Sequence, residues 1–166
     1  MEEALLDFYY HFHKYQHYFL CHDILEEAWK MNPNYSKNDG IVSLILFSTA
    51  MYHYRRHNYK GALKSFKKSL TTFLNARDKV LLGLNEEAFV KQIKQQIKNV
   101  YHKKNFVPIQ LPMTEEMFNK IYYIYPDYTF NELSISDSYI VHHHKLRDRS
   151  DVINARQQAL IKKHKK

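Results

Sequence analysis

The chain has 166 residues, 45% of them hydrophobic, with 3 Gly, 4 Pro, a single cysteine and a formal net charge of +8. That length suits one domain, or one domain with an appendage. So few Gly and Pro argue against an all-β chain built on tight turns, and Cys21 on its own excludes an intrachain disulfide. No apolar run approaches the ~20 residues of a membrane span, and the acidic start Met1-Glu2-Glu3 does not resemble a signal peptide. A reducing, cytoplasmic setting without membrane attachment is the expectation.

Five helices are expected before residue 105. Leu5, Phe8, Tyr9 and Phe12 form the apolar face of the first, which ends between His13 and His17. The second runs from about Tyr18 to Lys30 and is stopped by Asn32-Pro33-Asn34. Asn38-Asp39 caps a third, apolar on nearly every side and therefore central. Asn58 caps a fourth, expected to end at Gly83-Leu84-Asn85, where Asn85-Glu86-Glu87 starts the fifth. Residues 58–70 resemble half of a tetratricopeptide unit, but no second unit follows, so a repeat array is not expected.

Phe106-Val107-Pro108 through Pro112 reads as a linker. Thr114-Glu115-Glu116 then caps a short helix ended by Pro126, and Ser136-Asp137 and Ser150-Asp151 are further N-cap signals. The expected fold is all-α: a compact helical bundle of about five helices (residues 1–104) with a linker and a basic helical C-terminal extension (residues 105–166).

Charge is unevenly spread. The first 35 residues carry Glu2, Glu3, Asp7, Asp23, Glu26 and Glu27 against Lys14 and Lys30, whereas the last 22 are basic. Lys145, Arg147, Arg149, Arg156, Lys162 and Lys163 are the candidate nucleic-acid contacts, since phosphate binding needs little beyond such charge. No reading motif accompanies them, and a solvated helix face is the simpler account.

The stripe that carries chemistry is His22, Leu25, Glu26 and Trp29. Spacings of three, four and seven return to one side of a helix, so an imidazole and a carboxylate share a face with an indole. Two readings follow. In the first, His22 and Glu26 form a buried pair that locks two helices, completed by Arg55 or Arg56, with Trp29 in the core. In the second, His22, Glu26 and His53 hold a divalent metal, zinc or iron, with an open position for chemistry. His13 is a supporting residue that extends this site or sits half wet at a helix end. His142-His143-His144 would bind metal only adventitiously, and Cys21 is expected to be an inert buried thiol.

The ordered motifs His11-Phe12-His13, Tyr18-Phe19-Leu20-Cys21-His22, Leu25-Glu26, Trp29-Lys30, Ala50-Met51-Tyr52-His53 and Asn58 resemble the bacterial and archaeal domain-of-unknown-function family 309, with its hallmark H-x-x-x-E-x-x-W/Y. The resemblance covers roughly residues 5–75, and His144 to Ile153 resembles the tail of longer members in Gram-positive bacteria. It implies an all-helical bundle with metal binding suggested at His22, Glu26 and Trp29. This chain departs from the pattern at Leu20 and Asp23, where glutamates are common, and at His57, where Gly often precedes the Asn. No H-E-x-x-H, Ser-His-Asp, phosphate-loop or paired-cysteine pattern is present. The expectation is a non-enzymatic module that binds a partner protein; the alternatives are a metal-dependent hydrolase and a nucleic-acid-associated factor.

Overall fold

A computed structural model describes residues 1–136 and 138–141. Helix α1 (Glu2–Tyr10) runs into a π-helical turn (His11–Tyr15), then come α2 (Tyr18–Met31), α3 (Gly40–Arg55), α4 (Tyr59–Asn75), a 3-10 turn (Lys79–Leu82), α5 (Glu86–Tyr101), α6 (Glu115–Ile124) and the short α7 (Ser138–Val141). The all-α expectation holds. Among the described residues no helix is long and apolar enough to cross a membrane.

Helix α3 is the central element, packed on α2 and α4. Its Phe47 ring lies 6.1, 5.2 and 5.4 Å from those of Phe12, Phe66 and Phe89, so the π-helical turn, α4 and α5 meet around it. The polar residues of this apolar helix are satisfied locally: Ser43 and Ser48 donate to the carbonyls of Gly40 and Leu44. The Ser69 hydroxyl then crosses from α4 to the Ser43 carbonyl at 2.7 Å. Buried hydroxyls used this way cost little and fix the relative rotation of the helices.

Two expectations about helix ends need correction. Helix α4 stops at Asn75, not at Gly83. The break lets Asp78 accept the Gly40 N–H at 2.7 Å, capping α3 from a distant part of the chain. Asp39 occupies the N-cap position of α3 without capping it, because its carboxylate accepts instead from the Ser36 N–H and the Trp29 indole. Asn58 and Asn85 do cap α4 and α5 as expected.

A chain poor in glycine must end its helices on other residues. Gln16, His57 and Lys103 adopt left-handed backbone with φ of 51°, 63° and 52°. At His57 and Lys103 the next N–H reaches back five residues, Asn58 to His53 and Lys104 to Asn99, both at 2.9 Å, closing Schellman-type ends. At Gln16 the closing bond from His17 spans six residues to His11, one more because the preceding turn is π-helical.

Residues 105–136 pack back on the bundle. Leu111, Met117, Ile121 and Tyr128 belong to the same apolar core as α1 to α5. The segment runs alongside α1 and the π-turn, joined by Lys120 to Glu2, Tyr125 to Asp7, Tyr10 and Lys14 to Asp127, and Gln16 to the backbone of Asn131, Leu133 and Ile135.

Candidate functional site

The hallmark stripe stands where α2 packs on α3. The face of α2 that is fully buried is Tyr18, Cys21 and Leu25. His22, Glu26 and Trp29 lie one position round from it and are half-buried, with His22 and Glu26 side chains 22% and 16% exposed. The imidazole thus faces neither core nor open water.

His22 is bracketed by two carboxylates. Its Nδ1 lies 3.3 Å from Asp23 Oδ1 and its Nε2 lies 3.1 Å from Glu26 Oε2. The other oxygen of Glu26 takes the Lys30 ammonium at 2.6 Å, one turn further on. Carboxylate, imidazole, carboxylate and ammonium form a ladder along one helix, and in its protonated form the ring donates from both nitrogens. Phe19 packs beside His22 at 5.5 Å and against Tyr52 of α3 at 5.2 Å, which ties the ladder to the neighbouring helix.

One ligand atom from each of His22, Asp23 and Glu26 lies within 4.8 Å of the others, a spacing compatible with a small cation. His53 is not part of that group. It occupies the last turn of α3, its Nδ1 3.1 Å from the Asn58 side-chain nitrogen and its carbonyl closing the Schellman end. The third member is Asp23, which sequence reasoning noted only as a departure from the family pattern. Its i, i+3 relation to Glu26 was the available signal. Asp23 is also the most deeply buried of the three.

The supporting residues make contacts of their own. Trp29 donates its indole N–H to the Ser36 carbonyl and to Asp39, both at 3.1 Å, and clasps the loop before α3. Arg55 donates to the Gln16 carbonyl at 2.7 Å with its guanidinium over the Tyr18 ring, and Arg56 reaches the Tyr52 hydroxyl. His13, expected to be half wet, is fully buried. Its Nε2 accepts the Leu111 N–H at 2.9 Å, so Nδ1 carries the proton and faces the Tyr128 hydroxyl at 2.8 Å. Burial pushes its pKa down to about 3. The Cys21 thiol is raised well above its usual pKa by burial and sits 3.5 Å from the Phe8 carbonyl, an inert group as expected. His142 to His144, Lys145, Arg147, Arg149, Ser150, Arg156, Lys162 and Lys163 lie outside the described residues.

A second feature was not legible in the sequence. On the 3-10 turn Val80 and Leu81 are exposed, and so are Tyr123 and Ile124 at the end of α6, Tyr123 to 85%. Between them lie two adjoining clefts of about 550 and 460 Å³, both bordered by Glu2, Glu116 and Lys120.

The comparisons agree with the motif. The profile of the domain of unknown function DUF309 matches residues 5–65, which contain the whole ladder. A Bacillus subtilis (strain 168) protein described as "Uncharacterized protein YpuF" is 30% identical over 169 residues, spanning 98% of this chain and 97% of its own. No solved structure matches significantly. Similarity along nearly the whole chain, with the hallmark inside the matched segment, places the protein in the DUF309 family of helical proteins.

Proposed function

We propose that the protein is a non-enzymatic cytoplasmic interaction module, its hallmark ladder a positioning device and its partner surface elsewhere. The observation that carries this is a set of exposed apolar side chains on two adjoining clefts beside α1 and α6, with Val80 on one and Tyr123 on the other, 78% and 85% exposed. Apolar groups gathered at one place in this way mark protein contacts more often than isolated ones do. The ladder supports the same division of labour. Asp23, His22, Glu26 and Lys30 are linked in that order by polar contacts along α2, and Phe19 packs between His22 and Tyr52 of α3. A photo-crosslinking amino acid at position 123 is expected to give a discrete protein adduct in bacterial cells, absent when the probe sits at exposed Lys64. Absence of an adduct at position 123 overturns the reading.

The donor spacing at His22, Asp23 and Glu26 favours one second reading, a divalent-cation site. The residues fit in part. Asp23 on Nδ1 could orient the ring while Nε2 and Glu26 ligate, as carboxylate–histidine–metal pairs do. The Lys30 ammonium on Glu26 opposes a second positive charge there. Elemental analysis of untagged protein decides it: stoichiometric zinc or iron, lost in both His22→Ala and Glu26→Ala, would make the ladder a metal centre. The third reading, nucleic-acid binding through Lys145, Arg147, Arg149, Arg156, Lys162 and Lys163, predicts affinity that falls steeply with salt and vanishes when residues 145–166 are removed.

A further inference from the structure

We infer that the outer face of α4, together with the loop before α3, binds the phosphate backbone of a nucleic acid. This face is distinct from the C-terminal lysines and arginines considered above and from the clefts beside α1 and α6. Helix α4 carries Lys60, Lys64, Lys67 and Lys68, with no carboxylate between Tyr59 and Asn75. Ala62, Phe66, Ser69 and Phe73 take its buried side, so the four ammonium groups project from the exposed one. Like charges three and four residues apart oppose helix formation, and α4 has no acid of its own to relieve them.

Folding adds a further cation from a distant part of the chain. Lys37, in the loop between α2 and α3, borders a cleft of about 370 Å³ together with Lys67, Lys68 and Thr72, over half-buried Val42 and Leu46. Three lysines and no carboxylate line it, so its charge is unbalanced. Asp39 and Asp78, the acids that flank these segments in sequence, hold the Ser36 and Gly40 N–H groups and do not line the cleft. Among the described residues the lysines paired with carboxylates are Lys14, Lys30, Lys91 and Lys120, none of them on α4.

The spacing and the chemistry of the face select the occupant. From Lys60 to Lys68 the row runs about 12 Å along the helix, a length over which one strand of a duplex presents about three or four phosphates. A small anion would engage only part of that row. The side chains that α4 exposes are the four lysines, Thr71, Asn75 and, at its last turn, Leu74. Protein interfaces centre on aromatic and arginine anchors, and helices that lie on membranes bury an apolar face in lipid; this face has neither. A second copy docking symmetrically would set lysine against lysine.

The test is fluorescence anisotropy of the full chain with a labelled DNA duplex of mixed sequence, titrated at several salt concentrations. Saturable binding that weakens steeply with salt is expected. Lys64→Gln/Lys67→Gln/Lys68→Gln should weaken it about tenfold or more and flatten the logarithmic salt dependence by about 0.9 for each lysine removed, with no fall in melting temperature. Lys37→Gln, which lies outside any helix, should flatten it by the share of one lysine. Two variants with the same change in net charge serve as controls, Lys91→Gln/Lys94→Gln/Lys98→Gln on α5 and Lys162→Gln/Lys163→Gln/Lys165→Gln near the C-terminus, and both should weaken binding clearly less. Equal weakening in either control overturns the inference, because attraction would then follow net charge or the C-terminal residues. Absence of duplex binding overturns it outright. Phosphatidylserine vesicles or a Glu-rich peptide that bind instead, through the same lysines, would assign the face to a membrane or to an acidic protein. Displacement of the duplex by inorganic phosphate at constant ionic strength would make the occupant a small phosphate ligand and equally overturn it.

Discussion

The Leu111 backbone N–H donates to His13 Nε2 at 2.9 Å, linking two residues 98 positions apart inside the core. The bond requires a neutral ring with its proton on Nδ1, and burial supplies that condition by holding the pKa near 3. The imidazole is the internal anchor for residues 105–131, since the His13 carbonyl also accepts the Asn131 N–H.

His13 should therefore make stability depend on pH in a defined window. Its folded pKa of about 3 lies below the ordinary value of 6.5, so the unfolded chain binds the extra proton between them. Its contribution is complete above pH 6.5 and declines as pH falls, by up to about 1.4 kcal/mol per pH unit. His11, also lowered by burial, acts in the same direction. In His13→Leu the stability deficit relative to wild type should shrink between pH 7 and pH 5. Denaturant titrations showing a constant deficit would disprove the assignment.

At position 57 the backbone takes a conformation that histidine opposes. His57 has φ of 63°, a conformation glycine adopts freely and a β-carbon opposes. His57→Gly should stabilise the protein by about 0.5–1 kcal/mol, read as a higher melting temperature. The Nδ1 contact with the Tyr59 hydroxyl is exposed and should offset little of it.

Gly83 is the reverse case. Its φ is 69°, and a β-carbon there would press on the Met117 side chain, 2.8 Å from its Cβ. Gly83→Ala should destabilise by about 2 kcal/mol or more, from the backbone and the clash together. Adding Met117→Ala should remove the contacts with Cγ and Cε but leave that with Cβ at 2.8 Å and the backbone strain, so the two substitutions will be partly non-additive in a double-mutant cycle. Simple additivity of the melting free energies would place the cost elsewhere.

Within the ladder the two carboxylates should not be equivalent. Asp23 is buried, while Glu26 keeps contact with water and shares its charge with exposed Lys30. Asp23→Ala is expected to cost about 2–4 kcal/mol and Glu26→Ala about 1 kcal/mol, since stranding a buried partner costs more than breaking a screened pair. Glu26→Leu should remain folded. Circular-dichroism melts that rank Glu26 above Asp23 would contradict the burial argument.

Local signals read well. Asn58, Asn85 and Thr114 act as caps because each binds a backbone N–H three residues on, a contact wholly within its own segment. The apolar periodicity of α1 to α5 placed the helices, and the i, i+4 spacing brought His22 and Glu26 together for the same reason. What failed was assembly at longer range. Asp39 looks like a cap, yet the Trp29 indole takes its carboxylate and Asp78 caps α3 instead.

One-turn geometry is a property of the chain alone, so the main helices, their order and the His22–Glu26 pair follow from the residues as written. Packing of helix on helix, by contrast, buries His13 as an anchor for residues 105–131, brings Phe19 beside His22 against Tyr52 of α3, and leaves apolar residues of the 3-10 turn and α6 on two adjoining clefts. Those outcomes depend on which way each helix turns about its axis when it packs. A few tens of degrees of rotation separate a core side chain from a surface one, and packing against the other helices sets that rotation.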